Sequence, residues 1–106
     1  MTKSLRDPKR RPTHPGAILR EDVLPHLQIT QAQFAECMGV SRLSVSNLIR
    51  EKQGLTADMA IRLAMVLRTT PETWMRMQQA VDLWEAQQDA GKFEKVQPLP
   101  KALLAA

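Results

Sequence analysis

The stretch TQAQFAECMGVSRLSVSNLIREK, from Thr30 to Lys52, constrains the fold more than any other part of the chain. Thr30 is a good N-cap, and Gln33 three residues on completes a capping box, so a helix is expected from Gln31. Phe34, Ala35 and Met38 share one face of that helix, and Gly39 ends it as a left-handed cap. After a turn through Val40, Ser41 caps a second helix whose apolar face is Val45, Leu48 and Ile49. Counted from Gln31, Ala35 stands fifth, Gly39 ninth and Val45 fifteenth. A small fifth residue lets the two helices approach closely. Glycine at the ninth place permits a positive φ, and an apolar fifteenth residue locks the second helix onto the core.

Matched singly, these features mean little. Held in register with two N-caps, they are the requirements of a helix-turn-helix, whose second helix enters the major groove of double-stranded DNA. The expected recognition helix runs over about 42–51, and its outward face names the candidate contacts. Arg42 can donate two bonds to guanine, and Asn47 can pair with adenine or a phosphate. Ser44 and Ser46 suit phosphate or base edges, Leu43 suits a thymine methyl, and Ser41 joins them at the cap. Gln31 and the amino end of its helix should meet phosphate, while Arg50 and Lys52 add attraction to the DNA backbone. A solvated polar surface on a plain helical bundle is the competing reading. It does not explain why the turn spacing and the polar face coincide.

The rest of the chain reads as all-α, a five-helix domain over 14–91 with flexible termini: a basic arm over 1–13 and a tail over 92–106. His14, Pro15 and Gly16 read as punctuation, with Pro15 at the first helical position, Gly16 relaxing the first turn, and a helix running to a stop before Pro25. Thr56 caps a fourth helix carrying Ala60, Leu63, Ala64 and Leu67 at helical spacing. Thr70, Pro71 and Glu72 open a fifth, over about 71–90, which Gly91 closes. Trp74, Met77, Val81 and Trp84 follow a three-four-three spacing and, with Gln78, form the expected dimerisation surface of a homodimer. The tail contains Pro98 and Pro100 and shows no sustained periodicity.

Composition excludes several classes of function. One cysteine, Cys37, forbids an internal disulfide, and with only two histidines, His14 and His26, no metal site is expected. Cys37 itself reads as a buried thiol beside Phe34 and Met38. No nucleophile, acid and base stand in a catalytic arrangement and no glycine-rich loop could hold a phosphate, so neither an enzyme nor a cofactor is expected. The longest apolar run, Leu63 to Leu67, is too short to cross a bilayer, and the basic amino terminus lacks the apolar core of a secretory signal. A cytoplasmic protein is the simplest expectation. The net charge of +4 is unevenly placed. Lys3, Arg6, Lys9, Arg10, Arg11 and Arg20 face only Asp7 in the first twenty residues, whereas Glu72, Asp82, Glu85, Asp89 and Glu94 outnumber Arg76 and Lys92 over 71–94. One basic end and one acidic end suit a protein that presents one face to nucleic acid and another to protein.

The sequence HPGAILREDVLPHLQITQAQFAECMGVSRLSVSNLIREKQGLTADMAIRLAMVLRTTPETWMRMQQAVDLW closely resembles the HigA-type antitoxins, a branch of the Xre, or lambda-repressor-like, DNA-binding proteins. The resemblance covers roughly residues 13–86. Its middle portion, GVSRLSVSNLI and LTADMAIRLAMVL, is shared with many Xre-type repressors. H-P-G at the start and TPETWMRMQQAVDLW at the end mark the branch. Two departures stand out: Val81 where the family commonly has tyrosine, and REKQG in place of an asparagine-glycine-lysine run. The resemblance implies a homodimer that binds a palindromic operator in its own promoter and neutralises a HigB-type, RelE-like messenger-cleaving toxin. The chemistry would be the toxin's, with no catalytic residue in this chain. A stand-alone Xre-family repressor with no toxin partner is the alternative.

Overall fold

Five α-helices each begin at a side chain that accepts one of the helix's orphan N–H groups. His14 opens α1 (Pro15–Ile18), Thr30 opens α2 (Gln31–Met38) and Ser41 opens α3 (Arg42–Ile49). Thr56 opens α4 (Ala57–Leu67) and Thr70 opens α5 (Pro71–Gln87). At Thr30 the capping box is complete: its hydroxyl accepts from Gln33 N–H at 3.0 Å and its own N–H donates to Gln33 Oε1 at 2.8 Å. The computed structural model describes residues 9–105, so Lys3, Arg6 and Asp7 of the expected arm lie outside the described residues. Among the described residues there is no strand.

The helices surround one core. Leu19, Phe34, Val45, Leu48 and Leu63 are fully buried in it; Ala35, Ala60 and Ala64 let helices approach, and Trp74 closes it from α5. Burying such aliphatic and aromatic side chains is worth about 1.5–3 kcal/mol each. Gly16 has a different role from the one expected of it. A Cβ there would overlap the carbonyl oxygen of Leu48, so glycine is what lets α1 lie against α3.

Several boundaries differ from expectation. Helical winding does not stop before Pro25: a π turn, Leu19–Val23, follows α1, and a 3-10 turn, Leu24–His26, carries the proline. Proline lacks an N–H and its ring crowds the carbonyl four residues back, which an ordinary α-turn cannot accommodate. The wider turn, closed by Leu24 N–H on Leu19 O, carries the chain past it. Helix α3 ends at Ile49, before the expected limit, because Glu51 takes a left-handed φ of 59°. Its N–H donates to Leu48 O and that of Lys52 to Asn47 O, which satisfies the last carbonyls as a glycine cap normally does. Helix α5 ends at Gln87; Gly91 lies instead within a 3-10 turn, Ala90–Phe93. A second such turn, Lys101–Leu104, lies in the tail. Cys37 is exposed, a correction to the expected buried thiol, because it falls off the stripe defined by Phe34, Ala35 and Met38.

Candidate nucleic-acid interface

The turn between α2 and α3 is fixed by backbone geometry. Gly39 adopts φ 70°, its N–H donates to Glu36 O at 3.1 Å, and Val40 N–H donates to Ala35 O at 3.1 Å. This pair of bonds is a Schellman motif, and it sets the direction in which α3 leaves. Ala35 and Val45, the fifth and fifteenth residues of the motif, are both buried.

Two arginines from other elements then clamp the exits of the two helices. Arg62 on α4 donates through Nη1 to Met38 O at 3.0 Å and Gly39 O at 3.2 Å, while its Nε holds Asp58 at 2.6 Å. Arg20, in the π turn, donates through Nη1 to Ile49 O at 2.6 Å and to Glu51 Oε2 at 3.2 Å. A guanidinium at a helix C-terminus satisfies orphan carbonyls and opposes the negative end of the macrodipole. Bonds from Arg11 and Arg20 hold the Glu51 carboxyl below its usual range, Arg11 contributing most, and both guanidinium groups are raised in turn.

With one face of α3 buried through Val45, Leu48 and Ile49, the other is open. Arg42, Leu43 and Arg50 are exposed, as are Ser41 and Lys52 at its flanks and Gln31 at the start of α2; Ser44, Ser46 and Asn47 are half-buried. Leu43, an apolar side chain, stands 68% exposed. Arg42, Asn47, Arg50 and Lys52 have no side-chain partner among the described residues, in contrast to Arg11, Arg20 and Arg62. Four unpaired donors therefore lie together on the α3 segment. Ser41 is less free: its hydroxyl accepts from Ser44 N–H at 3.0 Å and lies 2.9 Å from Ser44 Oγ.

Comparison with known proteins places this arrangement. The helix-turn-helix family model matches residues 19–74. Antitoxin HigA-1 of Vibrio cholerae is 46% identical over 94 residues, covering 86% of this chain and 89% of that protein. The chain belongs to the HigA-type branch of the helix-turn-helix family. Antitoxin GraA, solved in complex with its operator, matches this HigA-type chain with a TM-score of 0.78 and 43% identity, over 86% of this chain and 94% of that one. An HTH-type transcriptional regulator of Escherichia coli strain K12, YbaQ, whose name carries the word uncharacterized, is 43% identical over 93 residues, 82% of each chain.

The residues expected to form the dimer surface of this HigA-type chain are turned mostly inward. Trp74 is 5% exposed and donates through its indole to Thr69 Oγ1 at 2.8 Å; Val81 is 1% exposed. Gln78, 6% exposed, accepts from Leu55 N–H at 2.7 Å and donates to Asp82 at 2.8 Å, tying α5 to the loop after α3. Met77 and Trp84 are half-buried, and Met77 packs on the core. The seam closes α5 onto its own chain. The open side of α5 instead carries Gln79, Asp82 and Leu83, the last 62% exposed.

In the sequence His14 reads as part of the punctuation before α1, with no metal partner expected. It is in fact buried, and its Nδ1 accepts from Gly16 N–H at 2.9 Å, so the H-P-G motif is a cap as well as a close approach. Among the described residues no group of histidine, cysteine and acidic side chains could hold a metal. None of their helices is long and apolar enough to cross a membrane. Sequence reasoning missed Arg11, Arg20, Glu51 and Arg62. Of these only Arg62 carried a local signal, its spacing of four from Asp58.

Proposed function

We propose that this HigA-type chain is the antitoxin of a toxin–antitoxin pair and the repressor of its own operon. As a homodimer it binds a palindromic operator, and it neutralises a RelE-like, messenger-cleaving toxin. It works in the cytoplasm and has no catalytic role of its own. The observation that carries the DNA-binding half is the anchored α3 with its unpaired Arg42, Asn47, Arg50 and Lys52. The operator held by GraA supports the same reading. Arg42 and Asn47 read bases, Leu43 meets a thymine methyl, and Ser44, Ser46, Gln31, Arg50 and Lys52 position the backbone. Two-fold symmetry places the recognition helices about 34 Å apart, one turn of DNA.

The test is a duplex carrying the DNA upstream of the chain's own coding sequence. Arg42→Ala with Asn47→Ala should weaken binding by about 1–3 kcal/mol for each base-reading side chain removed. Unchanged affinity would remove α3 from the recognition role. Growth rescue on co-expression with the neighbouring open reading frame tests the antitoxin half. If that frame encodes no toxic protein, the second reading holds, a stand-alone repressor, which YbaQ's naming as a transcriptional regulator favours.

A further inference from the structure

Arg11 belongs to the basic arm, where a phosphate contact is the obvious role for a cation. The geometry gives it different partners. Its Nη1 donates to Glu51 Oε1 at 2.8 Å, and its Nε and Nη2 donate to Glu85 Oε2 at 3.1 and 3.0 Å. Glu51 is the left-handed residue that terminates the recognition helix, and its other oxygen takes Arg20, which also holds Ile49 O. Glu85 lies on α5. One guanidinium therefore joins the exit of α3 to α5, across a polar cavity of about 230 Å³ that His14, Lys52, Gln78 and Asp82 also line.

We propose that Arg11 and Glu51 are positioning residues for operator binding, a reading that rests on the DNA-binding function proposed above. The strap fixes where α3 ends relative to α5 and so holds Asn47, Arg50 and Lys52 in register with the groove. Arg11 itself does not contact phosphate. The bland reading, a surface ion pair beside a DNA-binding face, makes the opposite prediction about Glu51. Removing a carboxylate near DNA weakens repulsion and should tighten binding. If the carboxylate instead positions the helix, removing it loosens binding although the protein becomes more positive.

The experiment measures affinity for the upstream duplex as a function of salt, using the unaltered chain, Glu51→Gln, Arg11→Gln and the double variant. Both single variants should bind about two- to fivefold more weakly, the range set by losing the partly exposed Arg11–Glu51 pair that the two have in common. The double variant should lose less than the sum of the two single losses, because the Arg11–Glu51 link is shared by both. The slope of log affinity against log salt should stay that of the unaltered chain, whereas an Arg11 that neutralised a phosphate would, once replaced, reduce it by about 0.9. All three variants should remain folded, since the side chains of the strap are partly exposed, and their thermal midpoints report this directly. Equal or tighter binding by Glu51→Gln, or a reduced salt slope for Arg11→Gln, overturns the proposal. If the unaltered chain ignores the duplex, the operator reading falls and this one with it. If it binds and the variants bind equally well, only the positioning role falls.

Discussion

A single ring nitrogen ties the first helix to pH. His14 Nδ1 accepts the Gly16 N–H, which it can do only while the imidazole is neutral, and burial lowers its pKa below the usual 6.5. Below pH 6.5 the unfolded chain takes up a proton that folded His14 resists. Its contribution is therefore full above pH 6.5 and is lost as pH falls through the folded value. Urea unfolding at pH 7.5 and pH 5 should show this loss, and His14→Gln should flatten that part of the profile. Glu51 has the same sign but acts lower, below its usual 4.5, so the two regions separate. Neither His14's burial nor the need for Gly16 was legible in the sequence. The need for Gly16 depends on Leu48, which is distant along the chain and becomes a neighbour only when α1 meets α3.

At the scale of elements, the starts of the helices were far more readable than their ends. Thr30, Ser41, Thr56 and Thr70 all cap as expected because a cap is a bond to a residue two or three places on. Gly39 was legible for the same local reason. The other ends are decided elsewhere: α3 stops at a left-handed glutamate stabilised by Arg11 and Arg20, and α4 at Arg68 with φ 58°. At Glu51 tertiary contacts outweigh the weak preference of a non-glycine residue against positive φ. The exit of α2 shows how much such a contact carries. Arg62→Ala removes the bonds to Met38 O and Gly39 O, and should lower stability by about 1–2 kcal/mol. Chemical denaturation measures that loss. Amide exchange at Gly39 and Val40 should accelerate with it, since their bonds form the turn that the guanidinium steadies.

For the whole molecule, the division between a basic and an acidic end survives folding only in part. Arg11 and Arg20, two of the six cations of the basic end, are tied to Glu51, Glu85 and Glu21 and so are neutralised internally. Charge counts along a sequence cannot show this, because pairing depends on which segments the fold brings together. The α5 seam shows the same limit from the other side: its apolar spacing was legible, but spacing alone does not tell core from interface. With Trp74 and Val81 covered within the chain, Leu83, 62% exposed, is the large apolar side chain that the open side of α5 offers to a second copy. Leu83→Glu should then shift the protein to monomer in sedimentation experiments and weaken operator binding, because a monomer engages only one half-site. A dimer that persists would move the interface off that side of α5.

The inward seam also determines what light can report about this protein. Its only indoles are Trp74 and Trp84, and it has no tyrosine, so ultraviolet emission comes essentially from α5 alone. Trp74, sealed against Thr69, is the blue-shifted emitter and reddens when the core opens. Trp84, half in water, is the one a quencher can reach. No fluorophore of this kind lies on α2 or α3, so intrinsic emission can follow unfolding and α5 association, while docking of the recognition helix on DNA stays spectrally silent unless α5 moves with it.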